Sequence, residues 1–175
     1  MLQQALAIFE TVLRPDDTKV AAGLNGLAEL YRAMGKHAEA LPLYQRALAL
    51  WEKALGPDHP DVAAGLNGLA ALYYDMGKHA EALPLYQRAL AIWEKALGPD
   101  HPSVATAVWW LAVLARDQGL PHEARPLLER AFAIDEKALG PDHPYTKAIK
   151  QMLDDLRSRL AASSTRPATQ EKKRF

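Results

Sequence analysis

Two consecutive blocks of 42 residues, 19–60 and 61–102, differ at only five positions: Lys19/Asp61, Glu29/Ala71, Arg32/Tyr74, Ala33/Asp75 and Leu50/Ile92. A repeat of this size is too small to bury its own apolar face. It becomes stable by stacking on its neighbours, so a solenoid is expected rather than a domain with one central core. A third block, 103–144, continues the register. Residues 1–13 match the second half of a block: Ala5, Leu6, Ala7, Phe9, Glu10 and Leu13 fall on Ala47, Leu48, Ala49, Trp51, Glu52 and Leu55 when 42 is added.

Each block reads as two helices. Leu66, Leu69, Ala70 and Tyr73 lie at i, i+3, i+4 and i+7, the apolar stripe of a first helix that begins near Pro60, where a missing N–H costs nothing. Gly77 can take a positive φ beyond its C-terminus. A second helix is predicted from about His79 to Leu97, with Ala82, Leu83, Tyr86, Ala89, Leu90 and Trp93 on its buried side and Gly98-Pro99 as its stop. Small residues at Ala70, Ala82 and Ala89 allow close approach, and Tyr73 and Tyr86 fill the space beside them. Pro84, with its counterparts Pro42 and Pro126, falls just past the first turn and is read as a bend on the outer side. In the breaker cluster 14–18, Asp is expected to cap the following helix.

The third block drifts: Asp135 stands where Trp51 and Trp93 stood. A further helix, 145–160, carries Ile149, Met152, Leu153, Leu156 and Leu160 on one face and Arg157 in the place of Tyr73, the pattern of a solvating cap. Residues 161–175 lack periodicity and are expected to form a disordered tail. The array thus spans 1–160: half a repeat at 1–13, full repeats at 19–60, 61–102 and 103–144, and the cap at 145–160.

Lys and Arg number 21 against 21 Asp and Glu, which gives no basic excess for nucleic acid or an anionic membrane. The absence of cysteine excludes disulfides and thiolate metal sites. The start, MLQQALAIFETVL, lacks the basic opening and unbroken apolar run of a signal peptide, and no stretch approaches the roughly 20 apolar residues of a membrane span. A cytoplasmic protein without cofactor or metal is expected. His59, His101 and His143 recur once per repeat in the linkers, and the packing of helices would separate them by about 8 to 10 Å or more, too far to share an ion. No nucleophile, phosphate loop or carboxylate pair can be assembled, so no enzyme is predicted.

The order Leu66-x2-Leu69-Ala70-x2-Tyr73, then Gly77, Ala82-x3-Tyr86 and Ala89, resembles the tetratricopeptide repeat. The LNGLA and LGPDHP segments and the period of 42 are similar to its kinesin-light-chain type, over residues 1 to about 160. The resemblance implies an all-α, right-handed solenoid of antiparallel helix pairs, about eight helices in all, whose first helices line a concave surface. It also implies protein–protein binding as the role.

Three of the five differences between the twin blocks, at 29, 32 and 33, share one helix stripe, and residue 25 extends it. What differs therefore lies together, beside the duplicated core stripe and pointing outward. The expected peptide-binding groove comprises Asn25, Glu29 and Arg32, then Asn67, Tyr74 and Asp75, then Trp109, Val113 and Arg116. Ala33, Ala71 and Asp117 belong to the same stripe. An asparagine offers both a donor and an acceptor to the backbone of an extended peptide, and the resemblance assigns that role to Asn25 and Asn67. The alternative is that they bond neighbouring helix backbone and that Trp109 packs between repeats. Tryptophan and tyrosine are favoured anchors. The lysines of a chaperone-tail clamp are missing. A second reading is a homo-oligomer, or docking of a fragment of a larger signalling protein, through an uncapped N-terminal end exposing Leu2, Leu6 and Phe9.

Overall fold

The computed structural model describes residues 18–164, with the side chains of 163 and 164 left aside. The expected half repeat at 1–13, its Leu2, Leu6 and Phe9 face, and the tail from 165 onward lie outside the described residues. Those described form helices α1 (Thr18–Ala33), α2 (His37–Leu55), α3 (Pro60–Asp75), α4 (His79–Leu97), α5 (Pro102–Asp117), α6 (Pro121–Leu139) and α7 (Pro144–Ser164), with no strand among them. The chain is all-α, built from helix pairs as the periodicity requires. The last helix runs four residues past the expected boundary at 160. Two compact units divide the chain, Met1–Ala107 and Val108–Phe175, the division falling inside α5.

Local chemistry explains the boundaries. At the end of α3, Gly77 adopts φ +72°, and the N–H groups of Gly77 and Lys78 return to the carbonyls of Tyr74 and Tyr73, both at 2.8 Å. This doubly bonded turn satisfies carbonyls that a helix end would otherwise leave without partners. At the starts of α3, α5 and α7 the linker histidine is the cap, while the aspartates of the 14–18 cluster lie outside the described residues. Nδ1 of His59 accepts the Asp61 N–H at 3.1 Å, His101 accepts from Ser103 at 3.1 Å and His143 from Tyr145 at 3.3 Å. Asp58 instead accepts from Lys95 Nζ at 2.6 Å, an exposed pair. Pro42, Pro84 and Pro126 are exposed inside helices that continue through them.

In the first unit, α1 packs on α2 and α3 on α4 as pairs, α2 packs on α3 across the repeat seam, and α1 also meets α3. The seam is aromatic against glycine. A Cβ added to Gly68 would lie 2.6 Å from Tyr44 Cε1, and one added to Gly65 would lie 3.1 Å from Trp51 Cζ3. Tyr44 is wholly buried, in a cluster with Ala28, Ala40, Leu69 and Leu72. These glycines weaken helix propensity, yet they are what lets two large rings close the seam.

In the second unit, α7 packs on α6, burying Ile149, Leu153 and Leu156, while Arg157 stays exposed and pairs with Glu129 at 3.2 Å. Asp135 is only 6% exposed. Burial pushes its carboxyl above the ordinary value, against the pull of nearby His143. Thr146, in the position of Val62 and Val104, is also wholly buried, and its hydroxyl has no hydrogen-bond partner among the described residues.

Two outcomes follow from this packing. Gly68→Ala should cost about 1 to 3 kcal/mol in urea unfolding, because the buried Tyr44 ring has nowhere to move; a variant as stable as the parent would contradict the seam. The raised Asp135 pKa makes its contribution to stability greatest when protonated and lost as pH rises through the folded-state value. Asp135→Asn should therefore flatten the pH dependence of melting above about pH 4 and stabilise the neutral-pH protein by about 1 kcal/mol.

Candidate functional site

The stripe that distinguishes the twin repeats is bound up with itself. Arg32 donates from Nη2 to Glu29 Oε1 at 2.5 Å and from Nη1 to Asp75 Oδ2 at 2.8 Å. Three of the divergent positions thus answer one another, and Arg32–Asp75 ties α1 to α3 across the seam. Tyr44, read from sequence as a space-filler, donates its hydroxyl to Glu29 Oε2 at 2.5 Å. The next repeat has Ala71 where this one has Glu29.

Electrostatics follow from this arrangement. Burial pushes the Glu29 carboxyl up, but hydrogen bonds from Arg32 and Tyr44, with the charge of Arg32, outweigh it and hold the group below its ordinary value. Burial opposes the charge on Arg32, yet Glu29 and Asp75 leave it more firmly protonated than usual. Burial, reinforced by Glu29, raises the Tyr44 hydroxyl, and burial raises Tyr86.

Two expected groove positions do not face outward. Val113, a predicted lining residue, is 3% exposed, and Ala71 is 4% exposed. An apolar side chain on this stripe turns into the protein, where a charged one stays at the surface. Divergence along the stripe therefore does not in itself mark a recognition surface. The remaining residues keep some exposure: Asn25, Arg32, Asn67, Tyr74, Trp109 and Arg116 are half-buried, and Glu29 and Asp75 are exposed. Tyr74 stacks on His79, ring centroids 5.1 Å apart and 9° from parallel. In the second unit Trp109 meets Trp110 edge-on at 4.7 Å. Arg116 pairs with Asp117 at 2.8 Å and reaches Met152 Sδ at 3.6 Å, beside a cavity of about 220 Å³ that Asp155, Leu156 and Arg159 also line.

What the stripe retains is a set of polar atoms without protein partners. Asn25 Oδ1 and Asn67 Oδ1, equivalent positions on α1 and α3, are buried and accept no hydrogen bond, and neither Arg32 Nε nor Trp109 Nε1 finds an acceptor among the described residues. Among the described residues, neither asparagine oxygen is satisfied by a neighbouring helix. Among the described residues no three His, Asp or Glu side chains group as metal ligands would, and no helix is long and apolar enough to cross a membrane.

Comparison with known proteins accords with this architecture. The tetratricopeptide repeat profile matches residues 1–50, 19–83, 61–108 and 103–153. The chain belongs to the tetratricopeptide repeat family. The nearly identical TPR-like repeats of a Podosopora anserina protein described as a kinesin light chain are 30% identical, with a TM-score of 0.69 over 95% of this chain and 86% of that one. The period of 42 is thus of the kinesin-light-chain-like type. BtubC (BKLC) from P. vanneervenii is 22% identical, with a TM-score of 0.69 over 99% of this chain and 76% of that one. The first TPR of Spaghetti (RPAP3), bound to the HSP90 peptide SRMEEVD, is 19% identical, with a TM-score of 0.61 over 83% and 96%. At these two identities the likeness is one of fold. No curated protein matches. Tetratricopeptide arrays are generally non-enzymatic scaffolds for protein–protein interaction.

The ion-pair network has a measurable signature. A double-mutant cycle on Arg32→Ala and Asp75→Ala should return a coupling of about 0.2 to 1 kcal/mol, the scale of a partly exposed pair. Because the Glu29 pKa is lowered, its contribution is complete above the ordinary 4.5 and fades as acid protonates the folded state. Glu29→Gln should flatten the acid limb of the melting profile below that pH.

Proposed function

We propose that the chain is a scaffold that captures an extended segment of a partner protein along the face carrying Asn25 and Asn67. The observation behind this reading is the pair of buried, unpartnered asparagine oxygens at equivalent sites on α1 and α3. A buried polar atom without a partner costs about 1 to 3 kcal/mol, and an extended backbone supplies the N–H groups that would recover it. Arg32 Nε adds a donor for a peptide carbonyl. The partner backbone, more than its charges, is what this face reads, since Glu29, Arg32 and Asp75 already neutralise one another down to one net negative charge. Tyr74, stacked on His79, supplies an aromatic edge beside them. In the second unit, Trp109 at the same repeat position replaces the asparagine with an aromatic anchor that keeps an unpartnered Nε1. The peptide held by the Spaghetti repeat is a precedent for the mode, not for the sequence bound.

Peptides selected from a random display library on the full chain are the probe. The double change Asn25→Ala, Asn67→Ala should weaken the best of them about tenfold or more, two lost hydrogen bonds' worth, with helix content by circular dichroism unchanged. Unaltered affinity would remove the face from recognition.

A further inference from the structure

Asn25 and Asn67 hold the same place in consecutive repeats and are separated by one step of the array, from α1 to α3. The two helices meet directly, and Arg32 of α1 reaches Asp75 of α3 at 2.8 Å. Helices in contact lie about 8 to 10 Å apart, and equivalent side chains on equivalent helices inherit that step. The two buried oxygens without partners among the described residues are thus set at a fixed interval. Each calls for an N–H, so the interval states how far apart along a partner the two N–H groups must stand.

Few extended backbones repeat at that interval. A β-strand rises about 3.3 Å per residue and turns its N–H groups to alternate sides, so those on one side recur every ~6.6 Å or, with one skipped, every ~13 Å. Neither value matches the helix step. A polyproline II helix has three residues per turn and rises about 3.1 Å per residue, so N–H groups three residues apart point the same way and recur every ~9.3 Å. That period falls within the step.

Three further features of the face suit such a segment. Glu29, Arg32 and Asp75 bond to one another, which leaves little field for a charged ligand. Tyr74, on the same helix as Asn67 and stacked on His79, keeps a half-buried ring, and proline-rich segments dock against aromatic surfaces of this kind. A polyproline II helix has no internal hydrogen bonds, so its carbonyls stay open to the unpartnered Nε of Arg32.

Resting on the reading that this face captures a partner's backbone, we propose that the segment it takes is a proline-rich one in the polyproline II conformation, of the form x-Pro-Pro-x. The two flanking residues, neither of them proline, give their N–H groups to Asn25 and Asn67. The prolines between them have no N–H to lose and hold the backbone in the bound shape beforehand, which lowers the cost of ordering it. Recognition is set by the interval between N–H groups rather than by side-chain identity.

The peptide Ala-Pro-Pro-Ala-Pro-Pro-Ala, capped as an acetyl and a dimethylamide, carries N–H groups three residues apart and no charge. Titrated into the isotope-labelled full chain, it should shift the side-chain amide resonances of Asn25 and Asn67 together along one saturable curve. Methylating the nitrogen of its central alanine removes every pair of N–H groups three apart and should weaken binding about tenfold or more. Ala-Pro-Ala-Pro-Ala-Pro-Ala with the same caps, whose N–H groups fall two apart, should be weaker by a similar factor. Either control binding as tightly, or no shift at either asparagine, would overturn the proposal. Peptides selected from the display library separate its failure from that of the reading beneath it. If their binding depends on both asparagines but is lost on N-methylation at residues two apart, the polyproline II assignment falls and backbone capture stands. If they are indifferent to Asn25→Ala with Asn67→Ala, both fall.

Discussion

The contact on which the first unit depends is the aromatic ring laid against a glycine backbone. A pair of helices of this size has an apolar face on both sides and too little volume between them to hide either. Tyr44 and Trp51 solve this by reaching into the next repeat, and Gly65 and Gly68 are the two positions at which that reach is sterically free. The remaining first-unit features are arranged around the closed seam: Leu72 becomes core, α1 and α3 come side by side, and Arg32 falls within reach of Asp75.

That closeness also shapes the face that we propose takes a partner segment. Charges on neighbouring first helices find each other before they find a partner, as Glu29, Arg32 and Asp75 do, so little long-range electrostatic selectivity is left for a ligand. On the face proposed for binding, the groups left without partners among the described residues are short-range and directional: amide oxygens, a guanidinium Nε and an indole N–H. Such groups read backbone and shape, a chemistry suited to a scaffold whose helical frame recurs with little change.

The fold was legible because repetition is a global signal. The duplicated stripes at Leu66, Leu69 and Ala70 and at Ala82, Tyr86 and Ala89 located the helix pair of each full repeat, and Gly77 located its turn. The site was less legible because side-chain partners are set in three dimensions. Comparing Arg32 with Tyr74 shows that the repeats differ, but only the structure shows that Arg32 differs in order to meet Asp75, which differs as well. The burial of Val113 follows from its apolar character, a signal present in the sequence that position alone obscured. The histidine caps were hidden for another reason: in a GPDHP segment both Asp58 and His59 are competent acceptors, and backbone direction alone decides between them.

Asp135 has a consequence for how such a chain changes length. Because Tyr44, Trp51, Gly65 and Gly68 recur at a spacing of 42, a block duplicated or excised anywhere between 19 and 102 meets its neighbours through the same interlocking shapes, and the array can lengthen or shorten in whole units without new joinery. Beyond α6 that freedom ends. The two glycines are already Ala107 and Trp110 in α5; past α6 the outgoing ring is a carboxylate and they are Ile149 and Met152, so a grafted repeat would find no matching surface there.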